Sequence, residues 1–367
     1  MPVAHHESHH CLLADAPAGR SRRVDAIAVP AGRAATNLVP AARLADDLDA
    51  MLLLMCWPGG ADAAEFAILA AQHWPALRWR AMMVPEDLCH PLLPRSAQPD
   101  LRSGDWRHGP LSTKRNLALL LGRMAGWETL MFLDDDIRDV DLPLVRAAAS
   151  RLGPAWAVGL TVDTYPDNSV VCHANRLSGA GQEVFVGAPA LLVDLTAPLA
   201  YFPAVYNEDW IFLYDAVSER RVARVDGAEQ VRYTPFADPG RARAEEFGDV
   251  VAEGLMAHLH DGDRSGPPVE VGYWREFLEA RDRLISDVAR RLSRRADRDA
   301  RQALLALSAA RQRLAEITPQ RCVDFVVAWR ADRAVWGAMI DDLDRLDDLD
   351  AAARSLAIPA GLVGATA

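Results

Sequence analysis

Three consecutive carboxylates, Asp134-Asp135-Asp136, follow directly on the apolar residues Leu130-Met131-Phe132-Leu133. Three adjacent negative charges repel one another unless solvent, cations or a metal offsets them, and carboxylate oxygens suit hard divalent cations such as Mg2+ and Mn2+. Such a cation usually keeps one or two protein carboxylates and takes its other ligands from water and substrate phosphates. The triplet therefore predicts a metal site that handles a phosphorylated substrate; a solvated acidic turn after a core strand is the plainer alternative. Upstream, Ser112-Thr113-Lys114-Arg115-Asn116 opens an apolar run with helical spacing, Leu117, Leu120, Leu121 and Met124. A helix start carrying basic side chains can hold an anion. Lys114 is the one lysine in a chain with 40 lysines and arginines, and a compact ammonium reaches and coordinates differently from a flat guanidinium. Downstream, Asn207-Glu208-Asp209-Trp210 precedes helix-like Ile211, Phe212, Tyr214 and Val217. Acids there either complement the helix dipole or supply a general base. His258 and His260, spaced by one residue at the end of an amphipathic stretch (Phe247, Val250, Val251, Leu255), are candidate metal ligands.

Those residues need elements to position them. Val24 to Val29 reads as a first strand broken by Pro30-Ala31-Gly32-Arg33, and a helix runs from about Leu38 to Leu48. Ala50 to Cys56 is a second strand ending in Trp57-Pro58-Gly59-Gly60; helix Ala63 to His73 and strand Leu77 to Val84 repeat the pattern. With the Lys114 helix and the Leu130 strand this is the alternation of an open α/β sheet, whose ligands gather beyond the carboxyl ends of the strands. Gly32, Trp57, Pro85 and Asp134 all fall on that rim. The long loop Glu86 to Leu111, with Asp105-Trp106-Arg107-His108-Gly109 near its end, is long enough to cover a ligand there. Trp156 to Val162 and Val184 to Val193 read as further strands, with turn clusters Tyr165-Pro166-Asp167-Asn168 and Ser178-Gly179-Ala180-Gly181 between them. From Tyr273 onward the pattern is of long helices, and the acidic run Asp341 to Asp350 reads as a solvated face.

Composition sets the limits. At 367 residues and 50% hydrophobic content the chain can bury a large core. A net charge of −11 argues against non-specific binding to nucleic acid or to an anionic membrane surface. Five scattered cysteines without a CxxC pair suit reduced thiols in the cytoplasm. The start, with His5-His6-Glu7-Ser8-His9-His10, lacks the charged opening and apolar stretch of a signal peptide and reads as a disordered tail. The expected organisation is a tail over 1–23, a catalytic domain over 24–263 and a helical extension over 264–367, which packs on the core or pairs two subunits into a homodimer.

In this order the motifs resemble a GT-A glycosyltransferase, the nucleotide-sugar-dependent fold of the family-2-like enzymes. The matching residues are the Lys114-Arg115-Asn116 helix entry, the strand into Asp134-Asp135-Asp136, the Gly187-containing strand and Asn207-Glu208-Asp209-Trp210. The resemblance implies a Rossmann-like open mixed sheet with a helical extension. It also implies Mn2+ or Mg2+ held by Asp134 and Asp136 against a donor diphosphate, with Asp135 near the ribose. Pro30, Gly32 and Arg33 would carry the nucleoside, and Lys114 or Arg115 would add charge. Asp209, with Glu208 beside it, would be the general base of an inverting enzyme. In retaining relatives such as glucosyl-3-phosphoglycerate and mannosylglycerate synthases a histidine completes the metal site, a role for His258 or His260. The implied activity moves a sugar from a nucleotide-diphosphate sugar to a small-molecule or peptide acceptor. A nucleotidyltransferase acting on a sugar phosphate, a haloacid-dehalogenase-type phosphatase and a catalytically silent binding module are alternatives. The first lacks a Gly-rich basic loop after the first strand, and the second has Arg138 where Thr or Val is expected.

Overall fold

The computed structural model describes residues 9–56, 62–85, 88–97, 109–138, 140–162, 165, 169–181, 185–262, 264–346, 348–358 and 360–363. The Trp57 to Gly60 break, the Asp105 to His108 segment, most of the Tyr165 to Asn168 turn and His5-His6 lie outside them. Nine strands form one mixed sheet: β1 (Ala26–Val29), β2 (Met51–Cys56), β3 (Trp79–Met83), β4 (Thr129–Leu133), β5 (Ile137–Arg138), β6 (Ala157–Val162), β7 (Ala190–Asp194), β8 (Val222–Gln230) and β9 (Ala360–Val363), in the order β5-β8-β6-β7-β4-β1-β2-β3-β9. The described helices are α1 (Val39–Leu48), α2 (Ala63–His73), α3 (Gly109–Met124), α4 (Leu142–Ala149), α5 (Val170–Leu177), α6 (Glu208–Ser218), α7 (Pro239–His260), α8 (Val271–Leu292), α9 (Arg298–Leu314), α10 (Pro319–Asp341) and α11 (Leu349–Ser355).

Strands β3, β2, β1 and β4 are parallel, and their apolar runs are buried on both faces, as βαβ crossovers require. Alternate residues feed two cores. Ala26, Ala28, Leu130 and Phe132 face a core shared with α3, α6, α7 and the C-terminal helices, whereas Ile27, Val29, Met131 and Leu133 face α1, α2 and α4. Strand β7 runs antiparallel to β4 and pairs Ala190 with Leu133. The residues just before β7 therefore share a rim with the carboxyl end of β4.

Four expectations are corrected here. The strand expected over Val184 to Val193 occupies only Ala190–Asp194, because Pro189 lacks an N–H and Gly187 is used for a close contact described below. Helix α3 begins at Gly109, so Lys114 and Arg115 sit inside it rather than at an anion-binding N-terminus. The N-terminal stretch is not loose from residue 9 on: His9 and Leu12 are buried, Ala14 N–H donates to Val222 O at 2.6 Å and Gly19 N–H to Ser150 O at 2.7 Å. The extension is not purely helical, since β9 pairs antiparallel with β3, and Asp350 in the acidic run pairs with Arg80 at 3.1 Å instead of only facing water. Among the described residues no helix is long and apolar enough to cross a membrane, and none of the five cysteines is in a disulfide.

Helix α7 ties the extension to the sheet. Gly248 lets it press on the preceding turn, for a Cβ there would lie 2.2 Å from the Tyr206 carbonyl oxygen. One turn carries buried Glu245, Glu246 and Asp249, and Glu253 follows on the same face. Arg281 of α8, itself fully buried, answers them: Nε and Nη2 donate to Glu246 at 3.0 Å each, Nη2 to Asp249 at 2.8 Å and Nη1 to Glu253 at 2.5 Å. Burial, reinforced by Glu253 and Glu246 and opposed by Arg281, lifts the Asp249 carboxyl well above its ordinary 3.8. The native state thus holds that proton more tightly than the unfolded chain, so the associated stability is complete below 3.8 and lost as pH rises through the native value. Melting temperatures taken from acidic to alkaline buffer should fall more steeply in wild type than in Asp249→Asn, the variant gaining ground as pH rises. Parallel curves would contradict this account.

Candidate active site

The carboxyl ends of β1 and β4, the entry to β7 and the start of α6 meet at one rim. There the loop after β1 wraps the acidic triplet: Gly32 N–H and Arg33 N–H both donate to Asp135 Oδ2 at 2.8 Å, and Asn37 Nδ2 donates to the Asp135 carbonyl at 3.2 Å. The Arg33 guanidinium, half-exposed, spans two acids, donating through Nη1 to Asp135 and through Nη2 to Asp136 Oδ2 at 2.8 Å. Lys114 Nζ, buried beneath the same loop, donates to Ala31 O at 2.9 Å. Pro30 ends β1 and starts the turn.

Arg115 lies one residue on and points to the acids. Its Nη2 donates to Asp134 Oδ1 at 2.8 Å and Oδ2 at 3.0 Å, and its Nη1 pairs with Glu208 Oε1. One buried cation is therefore shared by two carboxyls, with Asp209 alongside. Burial pushes Asp134 up to about 6 and Glu208 up to about 8, Arg115 opposing both without prevailing. Burial also raises Asp209, again against Arg115.

Asp209 is fixed by backbone. Its Oδ2 accepts Ala188 N–H at 2.9 Å and its Oδ1 accepts Trp210 N–H at 2.9 Å. A Cβ at Gly187 would stand 2.4 Å from Asp209 Oδ2, so only glycine admits the carboxylate there. Asn207, which precedes the acids, adopts a left-handed conformation (φ 54°) and donates from Nδ2 to Asp249 Oδ1 at 2.7 Å. That turn aims Glu208 and Asp209 at the rim while joining them to the buried Arg281 cluster.

Sequence reasoning missed Gln230, the last residue of β8. Its Nε2 donates to Asp136 Oδ2 at 3.2 Å, and its Oε1 is buried without a hydrogen-bond partner. No chemical signal marked it, because β8 interrupts its apolar alternation with Arg224, Asp226 and Gly227. The histidines go elsewhere. His258 Nε2 lies 3.1 Å from Gly266 O and its ring meets Tyr273 edge-on; His260 lies near the buried ring of His9, whose pKa burial and that neighbour lower to about 3. Among the described residues no three His, Cys, Asp or Glu side chains converge as a ready metal cluster. The four-ligand set of Asp134, Asp136, His258 and His260 is thus not assembled.

No protein-family model and no curated protein sequence matches the chain. Among solved structures it is similar to the mannosyltransferase PcManGT from Pyrobaculum calidifontis, in complex with GDP-Man and Mn2+. The identity is 15%, the comparison covers 89% of this chain and 92% of that one, and the TM-score is 0.45.

Proposed function

We propose that the protein is a metal-dependent glycosyltransferase that moves a sugar from a nucleotide-diphosphate sugar to an acceptor hydroxyl. The observation that carries this reading is the meeting of Asp134, Asp136, Arg33 and Arg115 with the carboxyls of Glu208 and Asp209 on the ligand-binding rim of an open α/β sheet. The cation is assigned to the oxygen donors beside Asp136. The unpartnered Gln230 oxygen is a neutral oxygen donor beside Asp136, and Arg33, which pairs with Asp136 without metal, would give way to the cation. Oxygen donors of this kind suit Mg2+ and Mn2+. Asp136 and Gln230, with Asp134, would hold it; His258 and His260 drop out of the proposed set. Bound there, the cation would act as a Lewis acid toward the donor diphosphate.

The chain's own groups supply the rest. The backbone of Pro30 to Arg33, pinned by Asp135 and Lys114, forms the floor for the nucleoside. Arg115 stays fixed between Asp134 and Glu208, adding positive charge where the leaving diphosphate gains negative charge. The acceptor oxygen bonds to the anomeric carbon as the bond from that carbon to the diphosphate oxygen breaks, and the nucleoside diphosphate departs with the electron pair. Asp209 takes the acceptor proton in an inverting reaction, its basicity raised by burial and its two oxygens oriented by Ala188 and Trp210.

A thermal-shift panel of UDP-, GDP-, ADP- and TDP-sugars, with and without Mn2+, tests the reading. One diphosphate class should stabilise the protein only with metal. Asp136→Ala should abolish that shift; a shift that survives would place the donor elsewhere.

A further inference from the structure

Beyond Gln230 the chain builds a second feature. Tyr233 to Phe236, helix α5 and the first turn of α9 enclose an open cleft of about 610 Å³, a size that accepts a monosaccharide. Its frame is rigid. Tyr165 Oη donates to Tyr233 O at 2.6 Å, Tyr233 Oη sits 2.9 Å from His173 Nε2, and Arg241 stacks on the Tyr233 ring at 4.5 Å while held by Glu245.

Two cations there have no carboxylate among the described residues. Arg176 lines the cleft, and Arg232, outside that lining, lies over the Tyr165 ring at 5.9 Å; among the described residues neither side chain makes an ion pair or hydrogen bond. Among the described lining residues the only carboxylate is Asp299, which is exposed. His173 adds no positive charge of its own, since burial followed by Arg176 and Arg241 lowers it to about 3. Among the described residues these are open guanidinium donors, the arrangement that receives a carboxylate or phosphate.

The chain connects the cleft to the candidate active site. Val231 N–H, next after Gln230, donates to Asp136 O at 2.9 Å. On its other side Glu245 accepts Val170 N–H at 2.9 Å, and one turn further along α7 Asp249 holds Asn207, a rise of about 6 Å. Resting on the transferase reading, we infer that this cleft is the acceptor subsite and that the acceptor is a hydroxyl compound bearing a carboxylate or phosphate, which Arg176 and Arg232 bind.

The test uses the full chain with glucose, glucuronate and glucose 6-phosphate as acceptor probes and inorganic phosphate as a binding probe. Transfer should favour the charged members over glucose, glucuronate against glucose 6-phosphate telling carboxylate from phosphate. Arg176→Gln and Arg232→Gln should each raise the KM for the charged acceptor at least about tenfold, in line with a lost charge-assisted hydrogen bond, while the metal-dependent donor shift stays as in wild type. Glucose used equally well, or unchanged KM in both variants, would overturn the assignment. Should no donor shift occur at all, the transferase reading fails by itself; calorimetric titration with phosphate then decides the cleft, through binding in wild type that both variants weaken or through its absence.

Discussion

An Arg281→Met protein is expected to be less stable than wild type by about 3–5 kcal/mol, the cost of leaving buried charges without their counter-ion. The guanidinium serves Glu246, Asp249 and Glu253 at once, and none of the four side chains reaches solvent to any useful degree. Lysine would not rescue the loss, because one point charge cannot face three carboxylates set around a planar fork. Denaturant titration reads the effect directly. Combining Arg281→Met with Glu246→Gln and Glu253→Gln should recover a large part of it; a single variant as stable as wild type would show that the cluster is not charged as drawn. Because Asp249 also holds Asn207, the destabilised protein should lose its donor-independent order at the Glu208 turn before the parallel half of the sheet melts.

Asp209→Asn should lower kcat by about 10²- to 10⁴-fold, the usual contribution of a positioned base. The amide keeps the volume beside Gly187, and a stability loss of about 1–3 kcal/mol is expected where its Nδ2 faces one backbone N–H. It retains one acceptor for either Ala188 N–H or Trp210 N–H, yet has no lone pair basic enough to take the acceptor proton. The metal-dependent donor shift should persist in the same variant, which separates lost chemistry from lost binding. Undiminished turnover would remove Asp209 as the base and transfer attention to the leaving diphosphate, the arrangement of a retaining enzyme.

The parallel half of the fold was legible because its strands are apolar on both faces and end in sharp breaks; helix Ala63–His73 lies where the sequence puts it. The antiparallel half was harder. Just before β7 a glycine and a proline serve the site rather than the ladder, β8 is half-exposed with charges in its middle, and the eight-residue α5 offers too short a period to recognise. At the site, residue types predicted which groups meet at the rim, since Asp134 to Asp136, Arg33, Lys114, Arg115, Glu208 and Asp209 do gather there. Pairings were not readable, because they depend on which side of α3 each cation leaves: Lys114 goes to a carbonyl and Arg115 to two acids. The histidine pattern misled for a different reason. Local spacing says nothing of direction, and α7 runs nine residues past Asp249 to His258, about 14 Å of rise.

The strand that covers the β3 edge is made after the other eight. While the chain is still on the ribosome, β3 therefore offers an uncapped row of amides and carbonyls, an invitation to pair with another nascent copy. A premature stop within the helical extension would leave that row bare for good, and one before α8 would strip the counter-ion from α7 as well. Truncated products of this gene should accordingly be found in inclusion bodies rather than as trimmed but working protein.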